Sequence, residues 1–226
     1  DNDNLWMSYG SWSGGIFMIK LDKSNGLRDY TYTFPYEVNG KAATPGSANA
    51  NTTSDPYFGK KIAGGYYVSG EASYIEKIGS HYFLFMSYGG LTSTGGYQMR
   101  VFRSDNPEGP YVDCNGISAI TKRYLMNYSA KTADNRGVLL FGGYKWDTMS
   151  GAEIAQGHNS AFNDKQGRSF VVYHSRFTNK ARVMRYVFIS SSSTTRDGLW
   201  LLRSSLTARP LPTTTSPQRR LLPTAR

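Results

Sequence analysis

The feature that most constrains the fold is a strand motif that occurs twice in the chain. Leu5–Ser11 reads LWMSYGS, and Leu84–Gly90 reads LFMSYGG. In each copy a pair of glycines follows, Gly14–Gly15 or Gly95–Gly96, and then a second run of apolar and aromatic residues. Two such runs joined by a glycine turn are typical of a β-hairpin, and a hairpin that recurs after several tens of residues indicates a repeat architecture.

Further strand-turn-strand units predict that the body of the chain is all-β. Candidate strands continue the series at Val138–Tyr144, Ser169–His174 and Ala181–Ile189. The 17 Tyr and 4 Trp suit pleated strands, and the 24 Gly suit tight turns. We predict a β-propeller, in which each antiparallel sheet is one blade, with a β-sandwich as the alternative. The connection Asn39–Gly65, rich in Gly, Ala, Asn and Thr, is predicted to be a surface loop.

Length, charge and cysteine content bound the possible classes of protein. The 226 residues, 39% of them apolar, suit one domain, and the single Cys114 excludes an internal disulfide. The net charge is +10, but about half of it lies in residues 190–226, and the remainder forms no basic stripe. Nucleic acid is therefore not expected as a partner. No apolar run is long enough to cross a membrane, and no signal-peptide pattern is found, so no membrane partner is expected.

Residues 190–226 differ from the body in composition. They contain six Arg and no Lys, are rich in Ser, Thr and Pro, and have Trp200 as their one aromatic residue. Such a composition is typical of a disordered segment. Because Lys disappears abruptly in the middle of a good strand pattern, we also consider that this tail was translated in the wrong reading frame. We divide the chain into a domain at 1–189 and a disordered or out-of-frame tail at 190–226.

Glu71 is the candidate catalytic acid. It follows Gly70 at a turn and precedes the strand of the second motif copy. A carboxylic acid at the edge of a strand could protonate a leaving group, and Gly70 would let the backbone approach a ligand closely. The alternative is a surface glutamate at a turn.

Two histidines stand among polar residues. His158 lies in Gly157–Ser160 at a predicted strand start, where it could bind a metal or orient an acid. A histidine satisfied by hydrogen bonds alone is the alternative. His174 and Arg176 end a later strand, and this pair suits an anion or sugar hydroxyl groups, or an ordinary salt bridge at the strand end.

Aromatic residues beside small polar ones indicate a carbohydrate ligand. Flat rings stack on sugar faces, while amides and hydroxyls bind the sugar hydroxyl groups. The rings that flank Gly/Ser turns at strand ends are Trp6, Trp12, Tyr88, Tyr144 and Trp146. Trp12, within Gly10–Gly15, is the least typical of a core and is the first candidate for substrate contact. Tyr88, Ser11 and Asn159 are further candidates.

Four motifs, in this order, resemble glycoside hydrolase family 43 and most closely its endo-1,5-α-L-arabinanases. They are Leu5–Ile16, Gly70–Ile75, Gly157–Ser160 and Val172–Phe177. The resemblance covers residues 1 to about 189. It implies a five-bladed β-propeller that hydrolyses arabinan, a polysaccharide of the plant cell wall and of pectin side chains, with inversion. It also implies a monomer with an extracellular or periplasmic location.

The resemblance implies roles for individual residues as well. Members use an Asp base, a second Asp that tunes and orients, and a Glu acid, and Glu71 falls on the position of the acid. His158 matches the histidine that, with water, holds a metal beneath the active centre, usually calcium. The substrate-binding residues are expected to be Trp12, Ser11, Tyr88, Asn159, His174 and Arg176.

The chain departs from the family pattern at both ends. The two family aspartates would precede Leu5–Ser11, so the chain is expected to be an inactive fragment with an incomplete propeller, since inversion needs two carboxyl groups roughly 6.5–9.5 Å apart. The tail, reread two nucleotides along, can encode a segment similar to the family's last blade. A non-catalytic carbohydrate-binding propeller is the alternative function, and a purely structural propeller module is a third.

Overall fold

The computed structural model describes residues 4–45, 51–65, 67–68, 70–121, 136–179, 185–193 and 199–201. In these residues fourteen strands form three antiparallel sheets, and no helix is present. The all-β class predicted from the sequence is therefore confirmed. The described part of the chain contains no helix that is long and apolar enough to span a membrane.

The first sheet starts with the first predicted hairpin. Its strands are β1 (Leu5–Ser11), β2 (Gly15–Leu21), β3 (Glu37–Val38), β4 (Lys41–Ala42), β5 (Thr52–Asp55) and β6 (Gly59–Ala63). The strand order is β1-β2-β6-β5-β3-β4, so β1 lies at one edge of the described sheet. β1 and β2 pair in continuous register, from Leu5 opposite Leu21 to Ser11 opposite Gly15.

The second and third sheets each have four described strands. The second contains β7 (Glu71–Ile78), β8 (His81–Tyr88), β9 (Gln98–Ser104) and β10 (Val138–Phe141), in the order β10-β9-β8-β7. The third contains β11 (Glu153–Asn163), β12 (Ser169–Phe177), β13 (Arg185–Ser193) and β14 (Leu199–Leu201), in sequential order. The predicted hairpin around Gly95–Gly96 is present as β8 and β9.

β8 is buried on both of its faces. Because side chains alternate along a strand, Leu84 and Met86 join a cluster with Ile16 of the first sheet, while Phe85 joins a cluster with Val171 of the third. Leu84, Phe85 and Met86 are all 0% exposed. The second sheet therefore lies between the other two, and β8 is the strand that both cores share.

The prediction of a surface loop at Asn39–Gly65 is wrong. The segment contains β4, β5 and β6, and β6 pairs with β2. Thr52 and Asp55 are buried, as is Ile62 of β6. The Asp55 carboxylate accepts hydrogen bonds from the backbone N–H groups two and three residues further on, at 2.6 and 3.0 Å, so it can be buried without losing its partners. Short strands of mostly polar residues carry no hydropathy pattern, which is why the sequence did not reveal them.

The predicted boundary of the tail at residue 190 falls inside β13. The greater part of the tail, residues 202–226, lies outside the described residues. The division into a domain at 1–189 and a tail at 190–226 stays a prediction.

Candidate active site

Glu71 begins β7 at a β-bulge. Glu71 lies opposite Ser87 and Tyr74 lies opposite Phe85, so β7 has one residue more than β8 between these two pairs. Inside the bulge, Ala72 has a φ of 54°. Such left-handed backbone costs a non-glycine residue on the order of 1–3 kcal/mol. Bulges re-aim side chains and are frequent next to active sites, and this one leaves Glu71 half-buried.

Gly70 packs closely against the core. Its φ is 153°, and a Cβ atom at this position would lie 3.1 Å from the Tyr88 ring and 3.2 Å from the Met86 methyl group. Tyr88 is only 3% exposed and belongs to the cluster that joins the first and second sheets. In contrast to the sequence expectation of a ring available to a sugar, the structure places Tyr88 in the core beneath Gly70.

Tyr97 connects the candidate acid to the candidate metal ligand. Its Oη donates a hydrogen bond to Glu71 Oε1 at 2.7 Å and lies 3.2 Å from His158 Nδ1. Tyr97 is 1% exposed. Burial, and then the hydrogen bond to Glu71, raises the pKa of Tyr97, so the phenol stays protonated and remains a donor. Glu71 and His158 therefore lie at one site, on either side of the Tyr97 hydroxyl group.

The Tyr97 ring is held between a glycine and a histidine. A Cβ atom on Gly157 would lie 2.1 Å from the ring, so β11 must have glycine here for the ring to fit. On the same ring, His174 stacks at 5.8 Å between centroids with an interplanar angle of 8°. The orientation of the phenol is thus fixed by packing as well as by its hydrogen bonds.

His158 lies on an irregular stretch of β11. The register between β11 and β12 shifts on both sides of Gly157, and Ala155 and His158 have φ values of 54° and 49°. The His158 backbone N–H donates to Ser87 Oγ at 2.9 Å, which ties the bulge to β8. The His158 side chain is exposed, in keeping with a group that could meet a ligand.

Three predicted substrate contacts lie beside this centre. His174 is 9% exposed and its ring lies 5.8 Å from that of His158. Burial, and then the nearby His158, lowers the pKa of His174, which favours the neutral imidazole. Asn159 is 6% exposed, and Arg176 is half-buried. Among the described residues, the Asn159 amide atoms, His174 Nδ1 and Arg176 Nε are buried with no hydrogen-bond partner. A buried polar group normally has one, so these atoms are suited to bind water or ligand.

Trp12 forms an exposed aromatic pair. It lies in the turn between β1 and β2, is 36% exposed, and packs 5.7 Å from the Tyr67 ring at 54°. Tyr67 is 51% exposed and precedes Glu71 by four residues. Ser11, which ends β1, is half-buried. Trp6, in contrast, packs against the core, so the rings flagged in the sequence fall into two groups.

A separate groove of about 490 Å³ lies between β1 and β7. It is lined mainly by Leu5, Trp6 and Met7 on one side and by Tyr74 and Ile75 on the other. Glu71 does not line it. This groove follows the edge of the first sheet and is not part of the candidate active site.

Sequence reasoning missed Tyr97 and Ser87. A signal for Tyr97 was present, because it follows Gly96 as Ile16 follows Gly15 in the first hairpin. Ile16 is 0% exposed near the start of β2, and Tyr97 is 1% exposed directly before β9. The second hairpin thus has a tyrosine hydroxyl group where the first has the apolar side chain of Ile16. No sequence pattern shows that this hydroxyl group contacts Glu71 and His158, which are 26 and 61 positions away.

Comparison with protein families and curated proteins gives a consistent result. The family model for glycosyl hydrolases family 43 matches residues 1–200. The chain is 36% identical over 184 residues to the extracellular endo-α-(1→5)-L-arabinanase of Thermotoga petrophila, and 35% identical to extracellular endo-α-(1→5)-L-arabinanase 2 of Bacillus subtilis. Each alignment covers 78% of this chain and 34% of the relative. The chain thus spans about a third of the length of these curated relatives.

Solved structures agree with these matches. The family 43 YxiA protein from Bacillus licheniformis superimposes with a TM-score of 0.72 and 30% identity, covering 89% of this chain and 41% of that one. The endo-1,5-α-L-arabinanase from Thermotoga petrophila superimposes with a TM-score of 0.70 and 29% identity, covering 92% and 42%.

Proposed function

The chain belongs to glycosyl hydrolase family 43, and from this premise we propose that it is part of a glycosidase that hydrolyses the α-1,5-L-arabinofuranosyl linkages of arabinan with inversion. The observation that carries this proposal is the half-buried Glu71 carboxyl group, held by Tyr97 at 2.7 Å. Its relatives named as arabinanases support the substrate class.

In the proposed reaction Glu71 is the general acid. Its proton passes to the glycosidic oxygen as the bond from that oxygen to the anomeric carbon breaks, and a water molecule attacks this carbon from the opposite face. A second carboxylate takes the proton of the water. We propose that this base is one of the two aspartates that the resemblance places before the strand Leu5–Ser11, and that the 226 residues alone are inactive.

We propose that sugar units contact the exposed pair of Trp12 and Tyr67, since aromatic faces stack on sugar rings. Ser11 and Arg176 are half-buried and can supply hydrogen bonds, while Asn159 and His174 lie deeper. Tyr88 packs in the core beneath Gly70, so we do not propose that it contacts the polymer. The partner is arabinan, including that of pectin side chains, and the protein acts as a monomer outside the cell, as the names of the relatives suggest for its location.

His158 is the proposed ligand of a calcium ion. The described residues include no group of three or more His, Cys, Asp or Glu side chains that could hold a metal, so protein would supply one imidazole and water the remaining ligands. The exposed His158, with Nδ1 near Tyr97 and Nε2 available, fits such a site. When bound, the ion would add positive charge that stabilises the negative groups of the active centre.

The proposed architecture is an incomplete five-bladed propeller, in which the three described sheets are blades. Two features support it. β1 lies at the edge of its described sheet with Leu5 40% and Met7 39% exposed. Beside this edge lies the groove between β1 and β7, a place where a further strand could pack.

A non-catalytic carbohydrate-binding propeller is the second candidate, because the Trp12–Tyr67 pair could bind a polysaccharide without any acid. The deciding experiment measures reducing ends released from linear arabinan by a form of the protein that extends upstream of Asp1. We expect hydrolysis that is lost in Glu71→Ala, whereas binding of arabino-oligosaccharide by both forms with hydrolysis by neither would favour the binding module.

A further inference from the structure

The Tyr97 hydroxyl group has three polar neighbours, Glu71, His158 and the Ser87 hydroxyl group, but only one proton. Its oxygen lies 2.7 Å from Glu71 Oε1 and 3.2 Å from His158 Nδ1. A phenol keeps its proton at neutral pH, and that proton can point at only one of these neighbours, so the others must donate to the phenol oxygen. Ser87 can do so through its hydroxyl group. For His158, hydrogen-bond chemistry then determines which ring nitrogen carries the proton.

The shorter contact identifies the acceptor. A carboxylate oxygen only accepts, and hydrogen bonds to charged acceptors are shorter and stronger than neutral ones. The Tyr97 proton therefore lies toward Glu71 Oε1. The 3.2 Å contact can then be a hydrogen bond only if His158 Nδ1 carries a proton and donates it to Tyr97 Oη. The neutral His158 ring consequently has its lone pair on Nε2.

We propose that Tyr97 is a positioning residue that selects one tautomer of His158 and one oxygen of Glu71. By donating to Oε1 of the carboxylate, it leaves Oε2 as the oxygen that takes up the acid proton when Glu71 becomes protonated. By accepting from Nδ1, it presents the Nε2 lone pair of His158 outward. The role at Glu71 rests on the function proposed above, while the selection of the His158 tautomer does not.

The surroundings of Tyr97 are built to hold this arrangement. The ring fits only because position 157 is glycine, and His174 stacks on it nearly parallel, at 8°. The His158 backbone is fixed separately by its N–H bond to Ser87 Oγ. The Tyr97 ring and the His158 backbone are therefore each held by contacts other than the hydrogen bond between them.

The test is the ¹⁵N spectrum of the histidine rings in the 226-residue chain, with His158 assigned by a His158→Gln variant. Long-range ¹H–¹⁵N correlations distinguish a protonated ring nitrogen from one with a lone pair. In the wild type we expect His158 to be protonated on Nδ1. In Tyr97→Phe, which keeps the ring and removes the hydroxyl group, we expect the population to move to the Nε2-protonated form that imidazole prefers in water.

Tyr111→Phe is the matched control, because Tyr111 is also 1% exposed and its hydroxyl group donates to one acceptor, the Pro107 carbonyl oxygen. It should leave the His158 tautomer unchanged. A wild-type His158 protonated on Nε2, or a Tyr97→Phe spectrum identical to the wild type, would overturn the proposal. If Tyr97→Phe does not fold, the wild-type tautomer alone decides the question.

Kinetics of a longer, active form separate this proposal from the proposed function. Glu71 becomes a charged carboxylate as it gives up its proton, so loss of the hydrogen bond from Tyr97 should lower kcat by about ten- to a hundredfold in Tyr97→Phe with little change in KM. If no form hydrolyses arabinan but the tautomer depends on Tyr97, the proposed function fails and the tautomer assignment stands. An unchanged kcat in an active form would contradict the role at Glu71.

Discussion

Two regions of the sheets differ in how the strands pair: a regular region at β8 and β9, and an irregular region at the start of β7 and in β11. β8 and β9 pair in continuous register from Tyr82 to Tyr88, and this region buries apolar side chains on both faces. In contrast, β7 begins with a bulge at Glu71, and β11 has register shifts on both sides of Gly157. Regular pairing here builds the core, and irregular pairing brings Glu71 and His158 to Tyr97. Three non-glycine residues with positive φ, Ala72, Ala155 and His158, lie in this irregular region.

The largest expected effect is on the rate of hydrolysis, from a substitution at Glu71 in the irregular region. In a form extended upstream of Asp1, Glu71→Ala should lower arabinan hydrolysis by several orders of magnitude, since general acid catalysis supplies about 10² to 10⁴-fold. Binding of arabino-oligosaccharides should stay close to wild type. A loss of less than roughly tenfold would mean that the acid lies elsewhere.

The corresponding change in the regular region acts on stability instead. Phe85→Ala removes a ring that is 0% exposed and should lower the free energy of unfolding by about 3–5 kcal/mol through lost burial and a residual cavity. Denaturant unfolding of the 226-residue chain measures this. Substitution of the exposed Phe162 by Ala is the control and should cost much less, and equal costs at both positions would contradict the assignment of the core.

Gly157→Ala tests the contact between the two regions. The new methyl group would lie 2.1 Å from the Tyr97 ring, and overpacking of this kind costs about 1–3 kcal/mol. We also expect displacement of Tyr97 to weaken its hydrogen bond to Glu71, visible as an altered Tyr97 ring signal in NMR spectra. Gly167→Ala serves as comparison, because no atom lies within 4 Å of a Cβ there, although its φ of 75° adds some strain. A Gly157→Ala protein with unshifted Tyr97 signals would exclude this steric role.

The smallest effect concerns pH. Burial lowers the folded-state pKa of His174 below its ordinary value near 6.5, so the unfolded chain binds more protons in this range. Stability from this group is present above pH 6.5 and is lost as the pH falls through the folded-state pKa. Unfolding measured between pH 7.5 and 5 should therefore show a positive slope with pH that is reduced in His174→Gln. An identical slope in the variant would assign the dependence to other groups.

The regular region could be predicted from the sequence, whereas the irregular one could be predicted only in part. Alternation and glycine pairs predicted the hairpins β1–β2 and β8–β9, because these signals are local. Glu71 and His158 were singled out by their motifs, and their roles as acid and metal ligand stay predictions. Tyr97 was missed because its partners are distant in the chain, and the loop predicted at Asn39–Gly65 was wrong because β5 buries polar residues whose hydrogen bonds no periodicity reveals.

Aryl glycosides provide the most direct test of Glu71, in the irregular region, as the general acid. A dinitrophenolate leaves without protonation, whereas the sugar alkoxide released from arabinan needs a proton from the enzyme. In an active, extended form, Glu71→Ala should lower kcat on linear arabinan by about 10² to 10⁴-fold, yet leave kcat on a dinitrophenyl α-1,5-L-arabinotrioside within roughly tenfold of wild type. Equal losses on both substrates would contradict the assignment of Glu71 as the acid.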